Sequence, residues 1–281
     1  MEKITVIGLG RMGSAIALRC QEKGHQFTGW TRSGRALESV KNAPDLVEAV
    51  AAGDVLILSL YDDAAVTDVL DQLLTLPLQG KLIIDTSTVL PTLLTSRAAE
   101  IAAVGAAAVD APIAGGPEMV AAGTCGVFVG GDDDAASRAE TALCAISSRI
   151  FHVGPLGTGL VMKTLNNAML QVYVQGLSEL LPLAKRAGLP LKTALDILSG
   201  GPAGLPMVRD RIPKILGEDT EVGFPLTAIS KDNDVFQAVL AAYDLTSPIL
   251  QLAAARQDKA IAEGLGDKDP ASLIADAYAK G

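Results

Sequence analysis

Lys163 and Asn167 stand four residues apart in Gly157-Thr158-Gly159-Leu160-Val161-Met162-Lys163-Thr164-Leu165-Asn166-Asn167. On a helix that spacing puts both side chains on one face. Leu160, Val161, Met162, Leu165, Ala168 and Met169 are their apolar neighbours in sequence. Desolvation disfavours an ammonium, so a lysine in that setting tends toward a lowered pKa and suits general acid/base work near neutral pH. The same spacing equally fits a surface lysine whose stem lies along a buried helix. Two other segments follow short apolar runs. Asp85-Thr86-Ser87-Thr88-Val89-Leu90-Pro91 sits where a strand would end, the place where open parallel sheets bind ligands. Asp110-Ala111-Pro112-Ile113-Ala114-Gly115-Gly116 brings paired glycines, whose backbone amides can hold a carboxylate.

The elements that must position these residues alternate along the first half. Apolar runs at Ile4–Ile7, Phe27–Trp30, Val55–Leu60, Leu82–Ile84, Ala106–Asp110, Gly126–Val129 and Ile150–Val153 read as strands. Helical spacing at Ser14–Lys23 and in the other intervening stretches predicts a parallel, doubly wound sheet covered on both faces. After Gly154 no strand pattern is found. Helices are expected from Leu160 to about Arg186, with Pro182 kinking or splitting that stretch, then at Leu191–Leu198, Leu205–Ile215, Ala228–Tyr243 and Ser247–Glu263. The expected organisation is an α/β domain over 1–156 and an all-α domain over 157–281, joined by the long helix.

Gly8-Leu9-Gly10-Arg11-Met12-Gly13 is a GxGxxG loop between the first strand and the first helix. Gly8 permits the tight turn, Gly10 leaves room for a pyrophosphate, and Gly13 allows close helix–strand packing. Amides at the helix N-terminus then face the anion. At the end of the second strand an NAD site usually carries Asp or Glu, but here stand Thr31, Arg32 and Ser33. No carboxylate at that position repels a 2′-phosphate, and Arg32 can pair with one through its planar fork. The expected cofactor is therefore NADP(H).

The 281 residues carry a net charge of −9, which repels phosphate polymers and argues against nucleic-acid binding. Three cysteines, two histidines and no CxxC spacing give little support to a zinc site or a disulfide framework. Sparse cysteine use and an N-terminus that reads as a strand, with no spanning apolar segment, predict a cytoplasmic protein.

Together, GLGRMG at 8–13, DTSTVLP at 85–91, DAPIAGG at 110–116, GTGLVMKTLNN at 157–167 and FPLTAISKD at 224–232 resemble the β-hydroxyacid dehydrogenase family, in family order and over nearly the whole chain. The resemblance implies hydride transfer between NADP(H) and a small β-hydroxy acid or semialdehyde. It implies Lys163 as the acid/base and Asn167 as a substrate-positioning residue. Ser87, Ala114, Gly115 and Gly116 would meet substrate. The loop 8–13, Thr31, Arg32, Ser33, Leu60, Thr88 and Lys231 would meet cofactor, and a homodimer or homotetramer is expected. One departure stands out. Ala114 occupies a position where the family commonly has a serine that helps hold the substrate carboxylate, and Pro117-Glu118 follows with a negative charge. Alternatives are an imine reductase of the same architecture, which typically replaces the lysine by aspartate or tyrosine, and a catalytically dead cofactor-binding module.

Overall fold

The computed structural model describes residues 2–38 and 40–281. Its packing divides the chain into two units, Met1–Asn166 and Asn167–Gly281.

The first unit is built on one sheet. Strands β1 (Ile4–Ile7), β2 (Phe27–Trp30), β3 (Val55–Leu58), β4 (Leu82–Asp85) and β5 (Ala107–Asp110) are all parallel neighbours in the order β2-β1-β3-β4-β5. Successive strand side chains point to opposite faces, so a continuous apolar run feeds two cores. Ile4, Val6, Val55, Ile57, Leu82 and Ile84 enter one core, with Ile16 and Ala17 of α1 (Arg11–Glu22) and Ala136 and Ala139 of α7 (Asp133–Leu143). Ile7, Leu56, Leu58 and Ile83 enter the other, with Leu46 of α2 (Leu46–Ala52), Leu70 of α3 (Asp63–Leu73), Leu94 of α4 (Thr92–Thr95) and Ile101 of α5 (Ala98–Ala103).

The rest of the sheet departs from the all-parallel expectation. A two-residue strand β6 (Ile113–Ala114), which is too short to leave a pattern, pairs antiparallel with β7 (Gly126–Gly130). β7 is also antiparallel to β5 and parallel to β8 (Arg149–Gly154). The cause is the short path from Gly115 to Cys125, which holds only α6 (Pro117–Ala122). A parallel crossover needs a dozen or more residues, so the chain returns antiparallel.

α8 (Thr158–Arg186) opens within the first unit and continues through the second, undivided at Pro182. The second unit adds α9 (Leu191–Gly200), α10 (Pro206–Ile215), α11 (Leu226–Ala242), α12 (Pro248–Ala260), a π-turn at Ile261–Leu265 and α13 (Ala271–Lys280). Its core gathers Val174, Leu177 and Leu181 of α8 with Leu195, Val208, Leu226, Ile229 and Ile274. Leu250, Ala253 and Ala254 of α12 are buried.

Candidate active site

The carboxyl ends of β1 to β5 carry most of the predicted residues of the first unit, and α8 carries Lys163. At β1 the glycine loop has the shape its sequence requires. Gly8 lies at φ +101°, and a Cβ there would strike the Ser59 carbonyl. A Cβ on Gly13 would overlap the Gly8 carbonyl oxygen, so α1 can start against the strand only with glycine here. Gly10, in contrast, has nothing within 4 Å of its Cβ direction, which leaves its backbone open to an incoming group. Leu9 is buried, and the Ser14 hydroxyl donates to its carbonyl at 3.0 Å. Arg11 and Met12 form the first turn of α1, where helix amides have no acceptor in their own helix. An open backbone at Gly10 beside such amides, on a 12-residue helix, fits the pyrophosphate of a nicotinamide dinucleotide.

Thr31, Arg32 and Ser33 follow β2. Arg32 is exposed and its Nη1 donates to Asp68 Oδ2 at 3.3 Å. That partner comes from α3, 36 residues away, and could not be seen in the local sequence.

At β3 and β4 two predicted residues meet. The Leu60 amide donates to Ser87 Oγ at 3.0 Å, tying the loop after β3 to the loop after β4. Ser87 is buried, and its amide donates to Asp85 Oδ1 at 2.9 Å. Asp85 is fully buried at the last position of β4, and its Oδ2 has no hydrogen-bond partner among the described residues. Burial pushes its carboxyl up to about 7. The bonds from Ser87 pull it only part of the way back, and the neighbouring Asp110 and Asp63 add to the rise. Thr88 lies beyond Ser87 in the same loop.

Asp110 sits beside Asp85 in register, at the end of β5. Its Oδ1 accepts the Gly157 amide at 2.6 Å and its Oδ2 the Leu160 amide at 2.7 Å. The carboxylate thus occupies the N-terminus of the 29-residue α8, where the helix dipole favours negative charge. Burial raises this carboxyl to about 6, and the amides of α8 oppose the rise. The glycines of Gly157-Thr158-Gly159 now have a reason. Gly157 lies at φ +95°, and a Cβ on Gly159 would press on the Asp110 carboxylate at 2.8 Å. Sequence reading singled out the segments of Asp85 and Asp110 but gave neither aspartate a role.

Lys163 lies on the second turn of α8, only 6% exposed. Its Nζ donates to the Ile113 carbonyl at 2.5 Å, 50 residues back. Ile113 adjoins Ala114 and the glycine pair. The spacing alone left Lys163 open between a surface and a site role, and the structure buries the side chain with its amine on the Ile113 carbonyl. Gly115 is at φ +141° and packs near Met119, while Gly116 leads into α6. The exposed Glu118 turns its carboxylate back over Gly116, so that a Cβ on Gly116 would collide with it. Asn167 is one helical turn beyond Lys163 on α8 and belongs to the second unit. Lys231 is on α11 of that unit, with Nζ at 2.9 Å from the buried Asp232 carboxylate.

The comparisons agree with this geometry. The family described as the NAD-binding domain of 6-phosphogluconate dehydrogenase matches residues 3–154. The one described as "NAD-binding of NADP-dependent 3-hydroxyisobutyrate dehydrogenase" matches 157–276. The chain is 30% identical to an NAD-dependent L-serine dehydrogenase of Pseudomonas aeruginosa, over 96% of this chain and 95% of that one. It is 29% identical to a probable 3-hydroxyisobutyrate dehydrogenase of Mycobacterium tuberculosis, over 89% of both. The solved 3-hydroxyisobutyrate dehydrogenase of Mycobacterium tuberculosis with L-serine superposes with a TM-score of 0.88 at 28% identity, covering 98% of each chain. No helix among the described residues is long and apolar enough to cross a membrane. With a glycine loop after β1 matched by a nicotinamide-dinucleotide-binding family and a buried lysine bonded to the Ile113 carbonyl, the chain is an NAD(P)-binding oxidoreductase of the β-hydroxyacid dehydrogenase family.

Proposed function

We propose that the protein transfers a hydride between NADP(H) and a small β-hydroxy acid or its semialdehyde, with Lys163 as general acid/base. The observation that carries this reading is the buried Lys163 amine, held by the Ile113 carbonyl beside Ala114, Gly115 and Gly116. The bound cofactor supplies or accepts the hydride at its nicotinamide ring. In reduction Lys163 Nζ gives a proton to the substrate oxygen, and in oxidation it takes the hydroxyl proton. The Ile113 carbonyl fixes where that proton is delivered. Asn167, one turn along the helix, orients the substrate. Ser87 lies near the nicotinamide and substrate, and Ala114, Gly115 and Gly116 cradle the substrate's acidic end.

The loop from Gly8 through Leu9, Gly10, Arg11 and Met12 to Gly13 holds the pyrophosphate. Thr31, Arg32 and Ser33 hold the 2′-phosphate, and Leu60, Thr88 and Lys231 contact the remainder of the cofactor. Retention of the lysine favours this chemistry over an imine reductase or a dead module. Functionally the chain divides after residue 156, in line with the gap between its two matched regions. Exposed Met169, Leu180 and Leu183 on α8 and Ile249 and Leu252 on α12 support a homodimer or homotetramer. Three free cysteines support a reducing, cytoplasmic setting.

The test is Lys163→Ala with glyoxylate, succinic semialdehyde, tartronate semialdehyde and methylmalonate semialdehyde, following NADPH oxidation. The expected loss in kcat/KM on whichever acid turns over is about 100- to 10,000-fold, with NADPH affinity kept within about threefold. Activity within a few-fold of wild type would remove Lys163 from the acid/base role.

A further inference from the structure

The Arg32–Asp68 pair has no evident structural duty. The other carboxylates of α3 and its cap are engaged elsewhere. Asp62 caps the helix by accepting the Ala65 amide, Asp63 accepts the Leu90 amide, and Asp71 pairs with Arg97. Among the described residues the carboxylate of Asp68 caps no helix and meets Arg32. Both side chains are largely exposed, 76% for Arg32 and 60% for Asp68, and the contact is a single long bond. Pairs of this kind contribute little to stability.

Their position is informative. β1 lies between β2 and β3 in the sheet, so the glycine loop at its end is flanked by the segment after β2 and by α3 after β3. Arg32 belongs to the first flank and Asp68 to the second. The ion pair therefore joins the two elements on either side of the loop.

We propose that Asp68 sets the cofactor preference, because its carboxylate competes with the 2′-phosphate of NADP(H) for Arg32. This rests on the proposed 2′-phosphate role of Arg32. A 2′-phosphate must take the guanidinium from Asp68, and its charge then lies within a few ångströms of a carboxylate that repels it. A ribose 2′-hydroxyl carries no charge and can donate to that carboxylate. Asp68 therefore lowers affinity for NADP(H) and leaves NAD(H) unaffected or slightly favoured. The carboxylate expected at the end of β2 in an NAD site is here supplied from α3, where it opposes Arg32 without replacing it.

The experiment is a fluorescence titration of the full-length protein with NADPH and with NADH, read as dissociation constants without substrate. Trp30, the chain's one tryptophan, stands next to Thr31 and reports binding. Asp68→Asn should tighten NADPH about 3- to 10-fold and leave NADH within about twofold. In an Arg32→Ala background the same change should give less than about a twofold gain, since the competition has been removed. If Arg32→Ala weakens NADPH selectively but Asp68→Asn leaves NADPH unchanged, or shifts both cofactors alike, the role of Asp68 is overturned and the 2′-phosphate reading stands. If Arg32→Ala weakens both cofactors equally, that reading falls and the role of Asp68 falls with it.

Discussion

The carboxyl ends of β4 and β5 and the carboxyl end of β2 belong to one sheet but are held by opposite means. At β4 and β5 the key contacts are buried, or in the case of Ser87 and Leu60 partly buried. Asp110 binds two amides of α8, Asp85 binds Ser87, Ser87 binds Leu60, and Lys163 binds Ile113. At β2 the central contact is an exposed ion pair. Buried charge-assisted bonds are strong and costly to break, whereas exposed pairs are weak and screened. The residues proposed for chemistry are thus locked in place. The residues proposed for cofactor choice are adjustable, and one substitution there can move specificity without disturbing the fold.

The largest effect is expected where the locked region is cut. Asp110→Ala leaves the buried Gly157 and Leu160 amides without their acceptor, at a cost of about 2–4 kcal/mol. Urea denaturation should show that loss. Because the start of α8 is released, kcat should fall along with it. A variant as stable and as active as wild type would mean that α8 needs no such anchor.

A pH effect of similar size is expected at Asp85. Its carboxyl is raised to about 7 in the folded protein, above the ordinary value of 3.8. The folded state then holds its proton more tightly than the unfolded chain does. The associated stability is present in full below pH 4 and is lost as pH rises toward and through 7. The full span is on the order of 4 kcal/mol. Asp85→Asn keeps an acceptor for the Ser87 amide but cannot ionise. The fall in unfolding free energy between pH 5 and pH 8 should therefore be smaller in the variant than in wild type. Parallel curves would show that Asp85 does not titrate over that range.

A smaller change is expected at the edge of the locked region. Glu118 places its charge over Gly116, where a substrate carboxylate would bind in the proposed function. Glu118→Gln should lower KM for an acidic substrate about two- to fivefold and leave kcat nearly unchanged. An unaltered KM would place the substrate's acidic end elsewhere.

The smallest effect is expected at the open end. Arg32→Ala should change unfolding free energy by less than about 1 kcal/mol. A larger loss would end the contrast between the two regions.

Much of this was legible in the residues themselves. β1 and β2 match their expected limits to the residue, because β-branched and aromatic runs between turn residues have few other uses. The glycine loop was readable because Gly8 needs a positive φ and Gly13 meets the Gly8 carbonyl five residues back, and both requirements are local. β6 left no signal, since two residues cannot show alternation. The direction of β7 follows from the length of its connection and not from its composition. Pro182 does not split α8, since packing of α8 residues into a core can outweigh one missing backbone bond.

The sequence by itself determined most of the element types, the glycine loop and the residue types at the site, because each depends on neighbours within a few positions. Only the tertiary structure decided that Lys163 is buried against Ile113, that Asp110 anchors α8, and that Asp68 faces Arg32. Those pairs are 50, 47 to 50 and 36 residues apart. Such contacts depend on which strands lie side by side and how the connecting chain returns, and no local pattern of side chains encodes that.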